Sequence, residues 1–470
     1  MASTGPNEST GKIEEPSPGV LKRAITASAM GNATEWYDYG VYAVLTVYLE
    51  EVLFPHGENN TGWVLAAFAV SFIARPLGGV VWGPLGDRIG RRAVLAMTII
   101  LMSLSTFCLG LIPSYDSIGI IAPMLLFFLR ILQGFSTGGE YGGAATFMAE
   151  YAPDKKRGFY GSFLEFGTLG GYALGSLIAL GLLVGLGEDT MYDWGWRIPF
   201  FVAAPMGLIG LYLRSKMEDT PIFREAEQQG MKEEQTSTQF KDLLIGYWQP
   251  IAQMFGLVIA LNIINYTLLA YMPTYVQGEI GLSTKEALVM VSVGQLVMMA
   301  FTPLAGAMSD RVGRKPMWLI SLVGIFIMAI PMYHLMAVSL FWAIVAFIVL
   351  GLLYVLQLGT ISATFPAMFP TMVRFAGFAI TYNVATSAFG GTALNVSEFG
   401  IDETGDSIFP AYYMMAACVV GLIALYKVVE TAGCSIRGSK RPGTEESKAE
   451  LAAIGAADGS GSSDRRPTDD

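Results

Sequence analysis

Four polar side chains share one face of the first strongly apolar stretch of the sequence. They are Glu35, Asp38, Tyr39 and Tyr42, at positions i, i+3, i+4 and i+7 of one helical stripe. A charged side chain at the centre of a bilayer costs roughly 2.5–3.5 kcal/mol on insertion scales, so this stripe must face a water-filled cavity. A carboxylate in such a cavity can bind and release a proton, and a nearby cation shifts that balance. The stripe is therefore a candidate site of proton exchange.

Two more acids and two cations lie inside other apolar stretches. They are Glu140, Glu165, Arg75 and Arg130. The candidate proton carriers, in order of preference, are Glu140, then Asp38 and Glu35, then Glu165. A second interpretation stays open, in which the acids and the arginines form ion pairs that only hold the helices together. Ionisable groups within a membrane are nonetheless functional candidates by default.

The second half of the sequence offers neutral hydrogen-bonding side chains in its apolar stretches. They are Asn262, Asn265, Tyr266, Gln357, Tyr382 and Asn383. We therefore expect proton chemistry in the first half and a cavity that the second half helps to shape. Trp36 and Tyr39 are also candidates for substrate binding, because aromatic faces can hold a quaternary ammonium group. The candidate substrate-binding residues are Trp36, Tyr39, Tyr42, Arg75, Arg130, Gln133, Glu165, Asn262, Tyr266, Gln357 and Tyr382.

The composition predicts a membrane protein with many spans. Of its 470 residues, 53% are hydrophobic and 14% are charged, and the mean hydropathy is +0.48. Twelve spans of about 20 residues each would use roughly half of the chain. The predicted fold is all-α, with twelve transmembrane helices in two pseudo-symmetric six-helix bundles. The predicted helices cover residues 23–49, 62–84, 93–112, 118–148, 157–186, 195–214, 247–276, 285–308, 316–334, 338–367, 372–396 and 408–429. The net charge of −10 gives no indication of nucleic acid as a partner, whereas the apolar stretches require a lipid bilayer.

Few residues could catalyse a reaction or bind a metal. Of the three cysteines, Cys108 and Cys418 lie in apolar runs and Cys434 lies near the end of the chain. The two histidines, His56 and His334, are far apart in sequence. These spacings argue against a disulfide framework and a metal site, and they supply no catalytic pair for a membrane-embedded enzyme. We expect a protein that is not an enzyme and needs no cofactor beyond a coupling proton.

A charged ten-residue turn occurs twice, each time between two apolar stretches. Residues 83–92 read GPLGDRIGRR and residues 306–315 read GAMSDRVGRK. Such turns must lie outside the hydrocarbon, where an aspartate can pair with an arginine or with a helix N-terminus. We therefore expect the turns to act as a conformational latch when the helix ends on that side pack together. The candidate latch residues are Gly83, Asp87, Arg88, Arg91, Arg92, Asp310, Arg311 and Arg314.

The repeat and the basic residues together predict how the chain is organised. The predicted segments are a disordered tail (1–20), a six-helix bundle (21–214), a linker (215–246), a second bundle (247–430) and a second disordered tail (431–470). Most Lys and Arg residues fall in alternate loops and the two tails, which the positive-inside rule places in the cytoplasm with both termini. The exceptions are Arg75, Arg130, Arg197 and Lys285. Two parallel six-helix repeats joined by a central loop are typical of alternating-access transporters.

Glycines recur at intervals of four residues in two of the predicted helices. The sets are Gly134, Gly138 and Gly142, and Gly167, Gly171 and Gly175. This spacing predicts close packing between helices. The alternative is that the glycines beside Glu140 make room for a ligand.

The doubled turn resembles the signature of the major facilitator superfamily. Three further motifs are similar to those of its metabolite:proton symporters, and the resemblance runs from residue 20 to residue 430. The motifs are GNATEWYDYGVY at 31–42, ARPLGG at 74–79, and RILQG at 130–134 with GGEY at 138–141. That branch includes carriers of proline and betaine, 2-oxoglutarate, citrate and shikimate. The KKRGF motif at 155–159, followed by Glu165, is most similar to the proline/betaine transporters, although these commonly carry Asp at the last position.

The resemblance implies a proton symporter of the plasma (inner) membrane, and we expect a multi-pass monomer whose ligand is a small solute. Four buried acids against two arginines favour a zwitterion such as proline, glycine betaine or ectoine over a dicarboxylate. The ligand carboxylate would then face Arg130 or Arg75, and its ammonium group would face Glu165 or the rings of Trp36 and Tyr39. Two alternatives remain, namely a symporter of a carboxylate metabolite and a membrane sensor that transports nothing.

Overall fold

The structure, a computed structural model, describes residues 18–56, 60–89, 91–138, 140–215, 246–370, 373–436, 440–450 and 452. Within these ranges the chain forms helices joined by short turns, and it forms no β-strand. Residues 1–17 of the first predicted tail and 216–245 of the predicted linker lie outside the described part. The first helix begins at Pro18, so residues 18–20 of that predicted tail are helical rather than disordered.

The longer described helices group into twelve consecutive segments, which we number α1 to α12, and short helical turns such as Tyr115–Ile118 and Met191–Gly195 lie between them. Several segments are interrupted and have two or three parts. The segments are α1 (Pro18–Val44 and Thr46–Leu53), α2 (Thr61–Ile89), α3 (Arg91–Leu109), α4 (Ile121–Thr137 and Glu140–Tyr151), α5 (Arg157–Leu186), α6 (Arg197–Ser215), α7 (Trp248–Asn265, Tyr266–Tyr271 and Met272–Gly278), α8 (Thr284–Val312), α9 (Arg314–Met336), α10 (Leu340–Leu358 and Ile361–Thr364), α11 (Arg374–Ala385, Thr386–Gly390 and Ala393–Thr404) and α12 (Phe409–Leu425).

Six helical stretches in the described part are long and apolar enough to cross a membrane. They are Thr61–Gly79, Asp154–Leu186, Trp248–Gly278, Thr284–Val312, Arg314–Met336 and Leu340–Thr364. Four further apolar helices are shorter: Ala96–Leu109, Ile121–Thr137, Arg197–Tyr212 and Phe409–Leu425. A helix satisfies its own backbone hydrogen bonds, which is why an apolar chain of this kind folds as helices in lipid.

Helix packing repeats between the first and the second six segments. In the first half, α1 packs on α5, α2 on α4, and α3 on α6. In the second half, α7 packs on α11, α8 on α10, and α9 on α12. Each pair in the second half stands six segments after its counterpart, so the two halves share one helix arrangement. This agrees with the two pseudo-symmetric bundles that the sequence predicts.

The two halves meet along several pairs of segments, among them α5 with α10 and α4 with α10. The pair α5 and α8 makes the most extensive contact, and α2 also packs on α11, α4 on α11, and α1 on α7. The end of the bundle that carries Arg157 and Arg314 is called the basic end below. The opposite end, which carries Glu50 and Glu398, is called the acidic end.

Glycines allow the close helix contacts that hold each half together. A Cβ atom at Gly134 of α4 would lie 1.7 Å from the carbonyl oxygen of Ser71 on α2. A Cβ atom at Gly167 of α5 would lie 2.2 Å from the carbonyl oxygen of Ala29 on α1. Only glycine fits at either position, so the four-residue glycine spacing does serve helix packing.

Two segments that face the middle of the molecule contain wider, π-helical turns. These turns are Tyr266–Tyr271 in α7 and Thr386–Gly390 in α11. Asn262, one turn before the first, donates to Thr386 Oγ1 at 3.1 Å and so joins the two helices. Turns of this kind inside α-helices occur frequently at functional sites, because they redirect side chains.

Part of the second predicted tail is folded rather than disordered. Residues 431–436 and 440–450 are described, and Ile436 and Ser447 are buried within them. Glu430 accepts hydrogen bonds from the backbone N–H groups of Arg314 and Lys315 at the start of α9. The prediction of a disordered tail over 431–470 is therefore wrong for these residues, because the backbone carbonyl groups of Cys434 and Ile436 bond side chains of distant helices, which no local sequence pattern reveals.

Candidate functional site

A small closed cavity lies at the middle of the molecule, between the two halves. The centre of a water molecule can occupy a volume of about 10 Å³ within it, which is room for roughly one water. Its lining residues come from α1, α5, α7, α10 and α11: Trp36, Glu165, Thr168, Leu261, Asn262, Asn265, Tyr354, Leu358, Ile361 and Tyr382. Among the described residues that line it there is one acid and neither a lysine nor an arginine. The cavity is therefore suited to a ligand with a positive end.

Glu165 is the acid of the cavity, and its side chain is almost fully buried. The hydroxyl of Tyr141 on α4 donates to Glu165 Oε1, and Thr168 Oγ1 donates to Glu165 Oε2 at 3.0 Å. One Glu165 oxygen therefore bonds α4, and the other bonds a residue one turn further along α5. Both donors are neutral, so within the described part no cation contacts this carboxylate.

A hydrogen-bonded series runs from Thr168 to the indole of Trp36. Asn32 Nδ2 donates to Thr168 Oγ1 at 2.6 Å, and Trp36 Nε1 donates to Asn32 Oδ1 at 3.1 Å. These bonds hold the Trp36 ring over the cavity that Glu165 also lines. The indole stacks on the ring of Tyr266 from the second half, with centroids 6.2 Å apart. An aromatic face next to a carboxylate is the arrangement that binds ammonium groups.

The second half contributes amides and tyrosines to the cavity. Tyr354 donates to Asn265 Oδ1 at 2.7 Å, so this bond uses the acceptor oxygen of the Asn265 amide and not its Nδ2 donors. Gln357 is fully buried, yet neither polar atom of its side chain has a partner in the described part. It does not line the cavity as the structure stands, nor does Tyr266, whose hydroxyl also lacks a partner there.

Asp38 and Arg130 form a buried pair beside the cavity rather than in it. Arg130 Nη1 lies 3.1 Å from Asp38 Oδ2, and Gln133 and Thr106 donate to Asp38 Oδ1 at 2.8 and 3.0 Å. The guanidinium carbon of Arg130 also lies 4.4 Å from the ring centroid of Tyr42. The structure thus brings together four of the predicted site residues, in a hydrogen-bonded network that holds the first half together.

Glu35 and Arg75 form a second and longer pair. Arg75 Nη2 lies 3.9 Å from Glu35 Oε1 and donates to the Tyr39 hydroxyl at 2.6 Å. The Arg75 guanidinium also covers the Phe72 ring at 4.5 Å. Like Arg130, Arg75 does not line the cavity. The stripe predicted on the first helix is real, but its acids face arginines of the same half.

The side chain of Glu140, the first-choice proton carrier, lies outside the described part. In the first copy of the charged turn, the surroundings of Gly83 also lie outside the described part. So do the side chains of Asp87, Arg88, Arg91 and Arg92. The described neighbour of Glu140 is Tyr141, which bonds Glu165.

The second charged turn is described, and its aspartate joins the two halves. Asp310 at the end of α8 accepts hydrogen bonds from the backbone N–H groups of Gly158 and Phe159, at 2.7 and 2.9 Å. These are the first N–H groups of α5, which carry the positive end of the helix dipole. Arg314 Nη2 also donates to Asp310 Oδ1 at 3.2 Å, whereas Arg311 is exposed. These bonds tie the end of α8 in the second half to the start of α5 in the first half, and the latch role stays a prediction.

Contacts close the cavity toward both ends of the molecule. At the acidic end, Asn395 Nδ2 on α11 donates to the carbonyl oxygen of Gly62 on α2 at 3.1 Å. Toward the basic end, Asn383 Nδ2 donates to the carbonyl oxygen of Gly138 at 3.1 Å. Each bond joins one half to the other, on either side of the cavity.

Sequence reasoning missed three polar residues that shape the cavity: Tyr141, Thr168 and Tyr354. Each had a local signal. Thr168 stands three positions after Glu165, and Tyr354 stands three before Gln357, so each shares a helix face with a residue already chosen. Tyr141 follows Glu140 directly, in the GGEY motif.

Comparison with known proteins decides the family. A family model described as Major Facilitator Superfamily matches residues 29–394. This chain belongs to the major facilitator superfamily. It is a transporter and not an enzyme, as its relatives in this superfamily also are. Among the described residues, no group of three or more His, Cys, Asp and Glu side chains could hold a metal ion.

Several relatives of this major facilitator protein have assigned names. The "Proline/betaine transporter" of Escherichia coli (strain K12) is 41% identical over 431 residues, which is 90% of this chain and 86% of that one. A "Glycine betaine/proline/ectoine/pipecolic acid transporter" of Dickeya dadantii (strain 3937) is 40% identical over 445 residues, 92% of this chain and 88% of that one. A "Putative proline/betaine transporter" of Staphylococcus aureus (strain COL) is 39% identical over 423 residues, 89% of this chain and 90% of that one.

Two solved structures of xylose symporters have the same fold. A proton:xylose symporter bound to 6-bromo-6-deoxy-D-glucose superposes with a TM-score of 0.71 at 18% identity, covering 90% of this chain and 98% of that one. A D-xylose-proton symporter superposes with a TM-score of 0.66 at 20% identity, over 88% of this chain and 99% of that one. The predicted all-α major facilitator fold is confirmed.

Proposed function

We propose that this transporter accumulates a small zwitterionic solute, such as proline, glycine betaine or ectoine, by symport with protons. The proposed mechanism is alternating access, in which the two halves rock about the central cavity. Three relatives at 39–41% identity bear names that include proline and betaine, which supports this class of solute. The proposal is carried chiefly by Glu165, the single acid of a cavity that no described cation lines.

Glu165 is assigned the positive end of the solute. Its carboxylate lies in the same cavity as the rings of Trp36 and Tyr382. A quaternary or secondary ammonium group gains from a carboxylate and from aromatic faces at once, and the gain grows when water is excluded. A dicarboxylate in the same place would meet the Glu165 charge without a cation to offset it.

The carboxylate end of the solute is assigned to the amide of Asn265 in the second half. Asn262 also lines the cavity, but its Nδ2 already donates to the Val258 carbonyl oxygen and to Thr386 Oγ1. Tyr354 donates to the oxygen of Asn265, so that bond leaves the Asn265 Nδ2 donors for the solute. The sequence favours Arg130 or Arg75 for this role. Both arginines line no part of the closed cavity, so they could serve a ligand only after the first half opens its own ion pairs.

The coupling proton is assigned to an acid other than Glu165. Glu140 stays the first proposal because its neighbour Tyr141 bonds Glu165. Glu35 follows, since its distance of 3.9 Å from Arg75 is longer than the 3.1 Å between Asp38 and Arg130. Asp38 is placed last because it already accepts three hydrogen bonds in the described network, one of them from Arg130.

The membrane placement follows from the positive-inside rule. We assign the basic end and both termini to the cytoplasm and place the protein in the plasma membrane as a multi-pass monomer. The closed cavity holds roughly one water, so a solute is released only after contacts at one end open.

Uptake into proteoliposomes tests the proposal. Labelled proline is offered with an imposed gradient, acidic outside, in the presence of excess glycine betaine or excess 2-oxoglutarate. We expect gradient-driven accumulation, inhibition by betaine, and no inhibition by 2-oxoglutarate. Inhibition by the dicarboxylate alone, or an absence of proline uptake, would contradict the zwitterion assignment.

Variants of the two glutamates separate solute binding from proton coupling. Glu165→Gln is expected to lose proline binding, whereas Glu165→Asp keeps the charge and should keep part of it. Glu140→Gln is expected to lose uphill accumulation while it still exchanges labelled for unlabelled proline. Retained uphill transport in Glu140→Gln would move the proton to another acid.

A further inference from the structure

A short segment after α12 runs beneath the basic end of the molecule. We call residues 430–436 the strap. Glu430, its first residue, accepts the backbone N–H groups of Arg314 and Lys315 at 3.0 and 2.9 Å. These N–H groups begin α9, so the strap is anchored at a helix N-terminus of the second half.

The backbone of the strap then bonds two buried arginines, one in each half. Arg157 at the start of α5 donates through Nη1 to the carbonyl oxygen of Cys434 at 2.9 Å. Arg374 at the start of α11 donates through Nη2 to the carbonyl oxygen of Ile436. Both arginine side chains are at most 1% exposed. A buried guanidinium with unmatched donors is costly, so these carbonyls matter to both halves.

The two arginines hold equivalent positions in the repeat. Arg157 Nε donates to the carbonyl oxygen of Ala149, and Arg374 Nε donates to that of Pro366, each eight residues earlier. Arg374 Nη1 also lies 3.2 Å from Glu150 Oε1 on α4, across the boundary between the halves. The strap carbonyls therefore meet the molecule where the two halves adjoin.

Ile436 adds an apolar contact at the same boundary. Its side chain is 3% exposed and packs with Ala149 of α4 and with Ala367, which lies between α10 and α11. One alanine belongs to each half. When the two halves separate at this end, Ile436 must leave one of them.

We propose that the strap locks the basic end of the transporter in its closed position. The lock opens when Cys434 releases Arg157 and Ile436 leaves Ala149, while Glu430 keeps the strap on the second half. A segment bonded to both halves cannot keep all its contacts as they rock apart, so it favours the closed state. The inference rests on the alternating-access part of the proposed function.

The rate at which a buried thiol becomes accessible tests the lock without any solute. The reporter is Ser362→Cys on α10. Ser362 is 1% exposed and faces Gly161 of α5, since a Cβ atom built on Gly161 would lie 3.2 Å from the Ser362 Cβ. The reporter is placed in a chain with Cys108→Ser, Cys418→Ser and Cys434→Ser, the last of which keeps the backbone carbonyl. Labelling by a membrane-impermeant maleimide is followed in inside-out vesicles, where the basic end faces the reagent.

Two versions of the strap are compared with matched controls. One chain ends after Glu430 and its control ends after Ala452, so the control keeps every strap contact named above. The second is full-length Ile436→Ala, with Ile436→Val as its control. We expect labelling roughly tenfold faster in the chain that ends after Glu430, the scale of a lost hydrogen bond to a charged group. Ile436→Ala should also be faster than Ile436→Val.

Equal labelling rates in both comparisons would overturn the proposal. If the shortened chain does not reach the membrane, the full-length Ile436 variants decide by themselves. Asp310→Asn serves as a reference because it weakens the separate latch between α8 and α5. If labelling is faster in Asp310→Asn but unchanged in the strap variants, the basic end opens but the strap does not lock it. If labelling is unchanged in all of these variants, both the strap and the opening of the basic end are rejected.

Discussion

The ring of Tyr141 on α4 stacks on the ring of Tyr382 on α11, with centroids 4.5 Å apart and planes inclined by 17°. The stack crosses the boundary between the two halves. The hydroxyl of Tyr141 also donates to Glu165, the acid of the central cavity. A ligand at Glu165 would therefore act on a side chain that packs against the other half, which would connect the proposed solute site to closure toward the basic end.

Tyr141→Phe tests this connection. The change removes the hydrogen bond to Glu165 and keeps the ring stack. A hydrogen bond to a charged group contributes about 1.5–3 kcal/mol, so we expect the KM for proline to rise roughly tenfold or more, with little loss of folded protein. Tyr48→Phe is the control, because the Tyr48 hydroxyl is buried without a partner in the described part. An unchanged KM in Tyr141→Phe would contradict the role of this bond.

Asp310→Asn tests the latch between α8 and α5. The change weakens charge-assisted bonds to the N–H groups of Gly158 and Phe159 at the α5 N-terminus. We expect inserted, folded protein whose uptake rate is lower severalfold, because the closed state is less favoured. Asp189→Asn, at an exposed position near the acidic end, is the control. The parallel variant Asp87→Asn tests the first copy of the turn. Normal uptake kinetics in this variant would contradict a latch role for that copy.

Gly134→Ala tests the close packing of α2 and α4. The new methyl group would lie 1.7 Å from the Ser71 carbonyl oxygen, so the helices must separate. We expect a free energy of unfolding lower by about 1–3 kcal/mol or more, seen as a lower Tm in detergent. Gly181→Ala is the matched control, since a Cβ atom there meets nothing within 4 Å and Ala favours a helix. Equal Tm values in the two variants would argue against the packing account.

The Glu430 anchor predicts how the strap responds to pH. Burial by itself raises the pKa of Glu430, but hydrogen bonds from four backbone N–H groups more than offset it, so the pKa lies below the usual 4.5. A carboxylate with a lowered pKa stabilises the folded state above its unfolded pKa and loses that contribution as pH falls through its folded pKa. The anchor should therefore hold at every pH well above 4.5 and loosen only below that value.

Hydrogen exchange in the peptides that contain 314–315 and 430–436 measures the anchor, after correction for the intrinsic pH dependence of exchange. Glu430→Gln should exchange faster at neutral pH because it lacks the charge. Glu445→Gln, at an exposed position, should not. Loosening that begins well above pH 4.5 would contradict the prediction.

The sequence alone determined the fold and which charged residues lie inside apolar helices. A charge inside an apolar stretch has a known cost and a backbone in hydrocarbon must form helices, so local composition was enough to predict an all-α membrane protein. The four-residue spacing of the glycines and the repetition of the charged turn are also local sequence patterns, and each of them predicts contacts between helices. For these reasons the amino-acid sequence is sufficient to name Glu35, Asp38, Glu165, Arg75 and Arg130 as charges inside apolar helices.

Only the tertiary structure decided which of these residues face the cavity. Asp38 and Arg130 are 92 positions apart, and their pairing depends on the angle and rotation at which α1 and α4 pack. That packing directs Asp38 into its own half and leaves Glu165 beside the rings of Trp36 and Tyr382. The strap was beyond sequence reasoning for a related reason: its partners Arg157 and Arg374 bind backbone carbonyl groups, which every residue carries and no side-chain pattern distinguishes.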